Sequence, residues 1–239
     1  MSRLADPAGL PLELAAAPVH RPAIAGFYRR HGKRCLDLLL VVGALPFLLP
    51  VVLLLAMMVR MGGGPAFYAQ PRVGRGGRLF HCWKLRTMHP DAEAMLADHL
   101  RHDPQAAADW TARQKLVSDP RITRLGAILR RFSLDELPQI WNVLRGDMSL
   151  IGPRPFTPAQ RALYHSAQAK LMAQPHPADP PYYRMRPGLT GAWQVGPRQD
   201  SSFADRAPYD AQYWETLSLG ADLRILLQTV GVVLRGRGT

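Results

Sequence analysis

The chain has 239 residues, of which 47% are hydrophobic and 20% are charged. That length suits one well-buried domain with a short anchor, and the composition is that of an ordinary globular protein, so any membrane element must be local. The two cysteines, Cys35 and Cys82, exclude a small disulfide-stabilised fold and fit a reducing compartment.

The charge of the chain indicates an anionic partner. There are 30 Lys and Arg residues against 18 Asp and Glu residues, which gives a net charge of +12. Between Glu13 and Asp91 the only acidic residue is Asp37, whereas basic residues are frequent there. Anionic lipid headgroups, phosphorylated substrates and nucleic acid all fit such a charge. A nucleic-acid partner is not expected, because no recognisable reader motif accompanies the basic residues.

The first part of the chain predicts a tail and then a membrane anchor. Residues 1–28 are rich in Ala and Pro and are predicted to be loosely ordered. Residues 29–61 contain a stretch without any charge, Leu38–Val59, which is long enough to cross a bilayer as a helix. Its two central prolines, Pro46 and Pro50, each remove a backbone donor and predict a kink or break.

The flanks of this apolar stretch favour a re-entrant segment. Basic residues lie at both of its ends, whereas a spanning helix normally shows an excess of Lys and Arg on one side. A helix–break–helix that enters and leaves on the cytoplasmic side explains both the prolines and the flanks. A true span and a buried core helix remain as alternatives.

Residues 62–239 are predicted to form a single globular domain that begins with a β-hairpin. Residues 66–88 place aromatic and β-branched runs on either side of the turn sequence Gly-Arg-Gly-Gly. The glycines at 62–64 and 74–77 could also cradle a phosphate, but no Lys-Ser or Lys-Thr follows at the spacing of a P-loop. Residues 91–116 predict helices divided at Pro104.

A helix and then an acidic pair follow. Apolar residues at helical spacing predict a helix over residues 122–132, and this helix cannot continue through Pro138. A new helix that starts at Asp135 would place Pro138 in its first turn, where a missing donor costs little. Asp135 and Glu136 would then lie side by side at a helix N-terminus, and an N-cap role for Asp135 is the simpler alternative.

The arginines around this pair change its interpretation. Arg130 and Arg131 precede the two acids and Arg154 follows them, and arginine binds phosphate oxygens in pairs. Magnesium is commonly held by one or two carboxylates together with substrate phosphate oxygens. A second carboxylate is then available as a nucleophile on phosphorus.

With these residues in place, the sequence resembles the bacterial monotopic phosphoglycosyl transferases, and most closely those that initiate exopolysaccharide repeat units. The resemblance runs in one order through most of residues 29–234. Five stretches carry it: KRCLD (33–37), KLRTM (84–88), SLDELPQIWNVLRGDMSLIGPRP (133–155), MRPGLTGAWQV (185–195) and SLGADLRILLQTV (218–230).

The resemblance implies a fold class and a location. The expected fold is α/β and mostly α: a small monotopic catalytic domain with a re-entrant membrane helix–break–helix, a short β-hairpin and interfacial amphipathic helices. Residues 219–233 independently show a broad apolar helical face. The expected location is the bacterial inner membrane, with the catalytic domain on the cytoplasmic face.

It also implies an activity: transfer of a hexose-1-phosphate from a UDP-sugar to undecaprenyl phosphate, with release of UMP. UDP-glucose and UDP-galactose are the expected donors, membrane lipids are further partners, and a homodimer is compatible with the sequence. By motif position, Asp135 resembles the nucleophile, and Glu136 with Asp135 the Mg²⁺ ligands. Residues that resemble phosphate or nucleotide contacts are Lys84, Arg86, Arg130, Arg154 and Arg198.

One loop departs from the family pattern. Gly196-Pro197-Arg198 has proline where the family usually has glycine, which stiffens the backbone before Arg198. The placement of Arg198 and the donor specificity of this loop are therefore open. A non-catalytic, membrane-tethered scaffold of a polysaccharide assembly complex is the alternative function, although the intact acidic pair and Arg154 argue against it.

Overall fold

The computed structural model describes residues 26–113, 116, 119–172, 180–196, 203 and 205–235. Residues 1–25 of the predicted tail, residues 1–28, lie outside the described residues. The described part is mostly helical, with two small sheets and one long apolar helix, as the predicted fold class requires.

The helices are distributed along the whole described chain. A π-helical turn, Tyr28–Gly32, leads directly into the long helix α1, Lys33–Met61. Short 3-10 turns occur at Arg75–Gly77, Leu134–Gln139 and Pro158–Gln160. The remaining helices are α2 (Ala92–His102), α3 (Pro104–Arg113), α4 (Arg124–Arg131), α5 (Ile140–Arg145), α6 (Arg161–Met172), α7 (Pro181–Arg184), α8 (Ala192–Val195), α9 (Arg206–Thr216) and α10 (Leu219–Leu234).

The strands form two separate pairs. Strands β1 (Phe67–Val73) and β2 (Leu79–Leu85) are antiparallel and confirm the predicted hairpin, with Gly76 and Gly77 at positive φ in the turn. Strands β3 (Ser149–Ile151) and β4 (Gly188–Thr190) are parallel. A Cβ added to Gly188 would come within 2.1 Å of the backbone nitrogen of Gly152, so this approach requires glycine.

Three predicted helices are confirmed. Helices α2 and α3 are divided at Pro104, as the sequence indicates. Helix α4 begins behind Thr123, whose hydroxyl accepts a hydrogen bond from the amide of Gly126 at 2.9 Å. This is the ordinary N-cap arrangement, in which a side-chain oxygen satisfies one of the unpaired amides of the first turn.

Helix α1 differs from the predicted helix–break–helix. It runs without interruption from Lys33 to Met61 and contains both Pro46 and Pro50. The missing proline donors therefore do not produce non-helical backbone, and the predicted break is wrong in this respect. The helix is long and apolar enough to cross a membrane, and only 6% of its most apolar window is buried.

Both ends of α1 are attached to the same domain. Near its start, the carboxylate of Asp37 accepts hydrogen bonds from the Ser149 hydroxyl and the Leu150 amide, both at 3.0 Å. Near its end, Ala56 and Val59 are buried against Leu85 of β2 and Leu129 of α4. The central residues are far more exposed, with Phe47 at 77%.

A buried polar cluster joins the start of the anchor to the last described helix. Asp222 of α10 is 0% exposed and accepts hydrogen bonds from the hydroxyls of Tyr28 at 2.6 Å and Tyr213 at 2.5 Å. The ammonium of Lys33 lies 2.7 Å from the same carboxylate. Each polar group of this interior therefore has a partner, as burial requires.

The opposite face of α10 is apolar and exposed. Exposed side chains recur at helical spacing on it: Leu219, Leu223, Leu227, Val230 and Leu234. Because Asp222 and Ile225 are buried on the other face, the helix is amphipathic with its apolar stripe turned away from the domain. An interfacial helix has this character.

Candidate active site

The acidic pair, Asp135 and Glu136, lies in a 3-10 turn and not at the start of an α-helix. The turn covers Leu134–Gln139, and α5 begins only at Ile140. In an α-helix the ring of Pro138 would clash with the carbonyl of Leu134, and the tighter 3-10 geometry avoids this contact. The predicted helix start at Asp135 was therefore wrong by five residues, counted from the observed start at Ile140.

The backbone before the pair is fixed in an uncommon conformation. Ser133 has φ 56° and ψ 23°, in the left-handed region, and is the only described non-glycine residue with positive φ. Its carbonyl accepts a hydrogen bond from the amide of Glu136 at 3.2 Å. No side chain caps this turn, so the alternative interpretation of Asp135 as an N-cap is not supported.

Two cations meet at Glu136. The Lys84 ammonium, at the end of β2, lies 2.8 Å from Glu136 Oε1 and 4.0 Å from Asp135 Oδ2. The Arg154 guanidinium, from the loop after β3, lies 2.9 Å from the same Glu136 oxygen. The hairpin and the loop after β3 therefore converge on the acidic pair, and the structure brings these four predicted residues together.

Burial and charge act in opposite directions at Asp135, which is 7% exposed. Burial raises the pKa of the Asp135 carboxyl, and Lys84 opposes this while Glu136 adds to it. Burial acts to lower the pKa of the Arg154 guanidinium, but Glu136 and Asp135 hold it above its usual range. The site therefore balances carboxylates and cations in a small, partly dehydrated volume.

Arg130 lies beside the pair and is held by a separate partner. Its Nε donates a hydrogen bond to the Thr87 hydroxyl at 2.8 Å. Burial lowers the pKa of the Arg130 guanidinium, and the nearby Asp135 is the strongest opposing influence. Arg130 therefore places a positive charge close to Asp135.

One predicted phosphate contact, Arg86, is not assembled with this site. The guanidinium of Arg86 donates to the carbonyl of Val59 at 3.2 Å and also to the carbonyl of Gly63. It therefore closes the C-terminal end of the anchor helix, where cations and donors are favourable, instead of facing the acidic pair. Arg198 lies outside the described residues.

Sequence reasoning missed a half-buried arginine next to Arg154. Arg72 of β1 donates to the carbonyl of Pro155 at 3.2 Å and to Gln70 Oε1 at 2.5 Å. Burial lowers the pKa of the Arg72 guanidinium, and the positive charge of Arg154 lowers it further. Its position in a strand between apolar neighbours was a weak signal, because a strand arginine is usually exposed.

A second missed arginine supports the backbone of Arg154. Arg206 of α9 is 2% exposed and donates a hydrogen bond to the carbonyl of Arg154. Its guanidinium lies 3.7 Å from the carboxylate of Asp210. Five aromatic rings surround it at 5.0 to 5.9 Å, those of Phe156, Tyr164, Tyr182, Trp193 and Phe203. This cage fixes the loop that presents Arg154.

The acidic pair fits a magnesium ion only in combination with a substrate. In the described ranges, no three His, Cys, Asp or Glu side chains come together as a metal cluster. One oxygen of Glu136 already faces Lys84 and Arg154. The remaining carboxylate oxygens of Asp135 and Glu136 match the one or two carboxylates that Mg²⁺ takes when phosphate oxygens complete its coordination.

The chain is similar over most of its length to known proteins. The family model for bacterial sugar transferases matches residues 28–236. The exopolysaccharide production protein ExoY of Rhizobium meliloti is 41% identical over 229 residues, which cover 94% of this chain and 96% of that protein.

Two larger relatives match over a part of their length. The UDP-galactose-lipid carrier transferase of Erwinia amylovora is 44% identical over 207 residues, and the undecaprenyl-phosphate galactose phosphotransferase of Salmonella typhimurium is 41% identical over 207 residues. Each alignment covers 86% of this chain but only 41% of the relative, so the chain spans about two fifths of the length of these two proteins.

Proposed function

The chain belongs to the bacterial sugar transferase family, and we propose that it transfers a hexose-1-phosphate from a UDP-sugar to undecaprenyl phosphate and releases UMP. The observation that carries this proposal is the buried pair of Asp135 and Glu136, with Lys84 and Arg154 in direct contact. The names of the relatives from Salmonella typhimurium and Erwinia amylovora supply the lipid acceptor and the UDP-sugar.

The proposed reaction has two steps at one carboxylate. In the first, an oxygen of Asp135 attacks the β-phosphorus of the UDP-sugar; an O–P bond forms, the diphosphate bond breaks, and UMP leaves with the electron pair. In the second, a phosphate oxygen of undecaprenyl phosphate attacks the same phosphorus, and the bond to Asp135 breaks. The product is the sugar diphospho-lipid, and the carboxylate is restored.

The surrounding residues have separate roles in this scheme. Lys84 and Arg154 form ion pairs with Glu136 and offer positive charge to the transferred phosphoryl group. Arg130 adds charge beside Asp135, and Arg206 holds the loop of Arg154 in place. Glu136 and Asp135 would hold Mg²⁺, which when bound would neutralise charge on the diphosphate.

We expect a covalent enzyme intermediate when the acceptor is absent. With UDP-sugar labelled in the hexose and no lipid, the protein should release at most one UMP per active site in a burst and retain the label. The measurement is UMP by chromatography together with label on the washed protein, with UDP-glucose and UDP-galactose as parallel donors. The donor that gives the burst identifies the hexose.

Two controls make this test decisive. The variant Asp135→Asn should give neither UMP nor labelled protein, whereas Asp98→Asn, a change at an exposed carboxylate 60% accessible to solvent, should behave like the unmodified protein. If UMP appears only after undecaprenyl phosphate is added, transfer is direct and the two-step scheme is wrong. A non-catalytic scaffold would release no UMP under either condition.

We also propose that the catalytic domain lies on the cytoplasmic face of the inner membrane and that α1 is re-entrant. The start of α1 is bonded through the Asp37 carboxylate to Ser149 and Leu150. Its end packs through Ala56 and Val59 on Leu85 and Leu129 of the same domain. This attachment at both ends supports re-entry.

The topology can be tested by cysteine labelling in sealed vesicles. In a background of Cys35→Ser and Cys82→Ala, single cysteines at the exposed positions Arg30 and Pro65 should both react only from the cytoplasmic side. The reason is that moving either basic flank across the membrane costs several kcal/mol, on the order of 2.5–3.5 kcal/mol per buried charge.

Removal of both prolines gives the matched comparison. Pro46→Leu together with Pro50→Leu restores two backbone donors in the middle of α1 and favours a straight spanning helix. The two cysteines should then react from opposite sides. Labelling from opposite sides already without these changes would show that the segment spans the membrane.

A further inference from the structure

A basic cleft lies on the domain at the other end of β2 from the acidic pair. It has a volume of about 790 Å³ and is open to solvent. Its lining combines arginines, glycines and aromatic rings: Gly74, Arg75, Gly76, Arg78, Leu79, Phe80, Gly146, Asp147, Tyr183, Arg184, Arg186 and Trp214. None of these residues takes part in the proposed transfer.

Almost all of the charged side chains that line this basic cleft are arginines. Arg75 and Arg78 come from the β1–β2 turn, and Arg184 and Arg186 come from the segment between α7 and β4. The single carboxylate of the lining is Asp147, which lies 3.5 Å from Arg145 and accepts from Asn142. Among the described residues, neither Arg75 nor Arg78 forms a salt bridge, so their charges have no fixed protein counterion.

The arginines are close enough to repel one another. Arg186 donates to the carbonyl of Gly146 at 2.8 Å, and a Cβ on Gly146 would lie 3.6 Å from the Arg34 guanidinium and 4.0 Å from that of Arg186. Burial lowers the pKa of the Arg186 guanidinium, and Arg34 and Arg75 lower it further. An anion bound in the cleft would relieve this repulsion.

The basic cleft also adjoins the start of the membrane anchor. Arg34 belongs to α1 and donates to the carbonyls of Val143 and Leu144 at 2.6 and 2.9 Å, two to three residues before Gly146 of the lining. The guanidinium of Arg29 lies 3.9 Å from the ring centre of Trp214, which lines the cleft. Leu79, 59% exposed, lies at the rim. The cleft therefore combines cationic and apolar groups near the expected headgroup level.

The basic cleft lies far from the acidic pair at which the reaction is proposed to occur. Leu79 begins β2 and Lys84 lies near its end. The distance between these two residues along an extended strand is about 17 Å. A phosphate held by Arg75 and Arg78 at the hairpin turn is thus remote from the phosphorus that Asp135 would attack. An anion in the cleft is expected to be a second ligand beside the reacting diphosphate.

We propose that the basic cleft binds the phosphate of an anionic phospholipid of the surrounding leaflet. The proposal rests on the proposed membrane location. Guanidinium groups bind phosphate oxygens in pairs, and basic pockets beside a membrane segment on the cytoplasmic side are suited to acidic headgroups. The rim residue Leu79 would lie against the acyl chains, and the bound lipid would fix the domain relative to the anchor.

The test compares lipids of different charge added to the full-length protein in detergent micelles. Dihexanoyl phosphatidylglycerol should raise the unfolding midpoint by about 3 °C at a concentration of about ten times its Kd. Dihexanoyl phosphatidylcholine, which has no net charge, should give a much smaller shift. The shift with phosphatidylglycerol should be lost in the double variant Arg75→Gln/Arg78→Gln.

A matched variant controls for net charge. Arg101→Gln/Arg124→Gln removes two exposed arginines outside the cleft and should keep the full shift. The midpoint without lipid reports whether each variant folds; if the cleft variant is unstable, Arg78→Gln alone is compared with Arg124→Gln. Equal shifts with both lipids, or an unchanged shift in the cleft variant, would overturn the proposal.

Two further additions distinguish a lipid headgroup from other phosphates. If inorganic phosphate alone reproduces the shift and the cleft variant removes it, the site takes free phosphate, and the lipid assignment is wrong. If UDP produces the shift through the same arginines, the cleft is a nucleotide subsite, and the lipid assignment is equally wrong. None of these measurements needs turnover, so a failure here is separable from a failure of the UMP-release test.

Discussion

Asp135→Asn should reduce the rate of UMP release by several orders of magnitude while leaving folding and membrane association intact. The amide keeps the shape of the side chain but cannot act as a nucleophile, and the loss of a nucleophile typically costs a factor on the order of 10⁴ to 10⁶. The measurement is steady-state UMP release with UDP-sugar and undecaprenyl phosphate in detergent with magnesium.

The stability of this variant provides the internal control. The turn around Asp135 has no side-chain cap, and Glu136 lies directly beside it, so removal of one negative charge should not destabilise the protein. We therefore expect an unfolding midpoint at or slightly above that of the unmodified protein. A variant that retains more than about a tenth of the rate would show that Asp135 is not the nucleophile.

Asp222→Ala should lower the free energy of unfolding by about 3–5 kcal/mol, the usual cost of removing one partner from a buried ion pair. The change leaves the Lys33 ammonium and the hydroxyls of Tyr28 and Tyr213 without their shared acceptor. Urea unfolding in mild detergent, followed by tryptophan fluorescence, measures the loss. Asp98→Ala removes an exposed carboxylate and should change stability by less than about 0.5 kcal/mol.

A double change separates the charge pair from the packing around it. Asp222→Leu combined with Lys33→Met removes both charges and keeps apolar volume, so it should be much less destabilising than Asp222→Ala. If Asp222→Ala itself costs less than about 1 kcal/mol, the cluster does not hold the anchor to α10, and the join must depend on apolar contacts.

Local features of this fold could be read from the sequence because local physics determines them. Residues 66–88 alternate around a glycine-rich turn, and this turn forms with Gly76 and Gly77 at positive φ. Residues 122–132 have the apolar spacing of a helix and a threonine at the N-cap position. In both cases the pattern lies within one element, and no distant partner is needed to interpret it.

The sequence-based predictions failed where contacts with distant parts of the chain determine the local structure. The 3-10 turn at Leu134–Gln139 depends on the left-handed Ser133 and delays α5. Arg86 was expected at the substrate, yet its long side chain reaches the end of α1. Arg72 and Arg206 support the loop of Arg154 from elements far away in sequence. Such long side chains can reach several backbone targets, and spacing does not say which.

The join between Lys33 and Asp222 has a consequence for synthesis. The two residues are 189 positions apart, and at about 5–20 residues per second the ribosome makes the second about 10 to 40 s after the first. The anchor helix therefore reaches the membrane long before the carboxylate that neutralises Lys33 exists. During that interval, a chaperone or the lipid surface must accommodate the ammonium of Lys33. The anchor can pair with its own domain through this contact only after residue 222 has been translated.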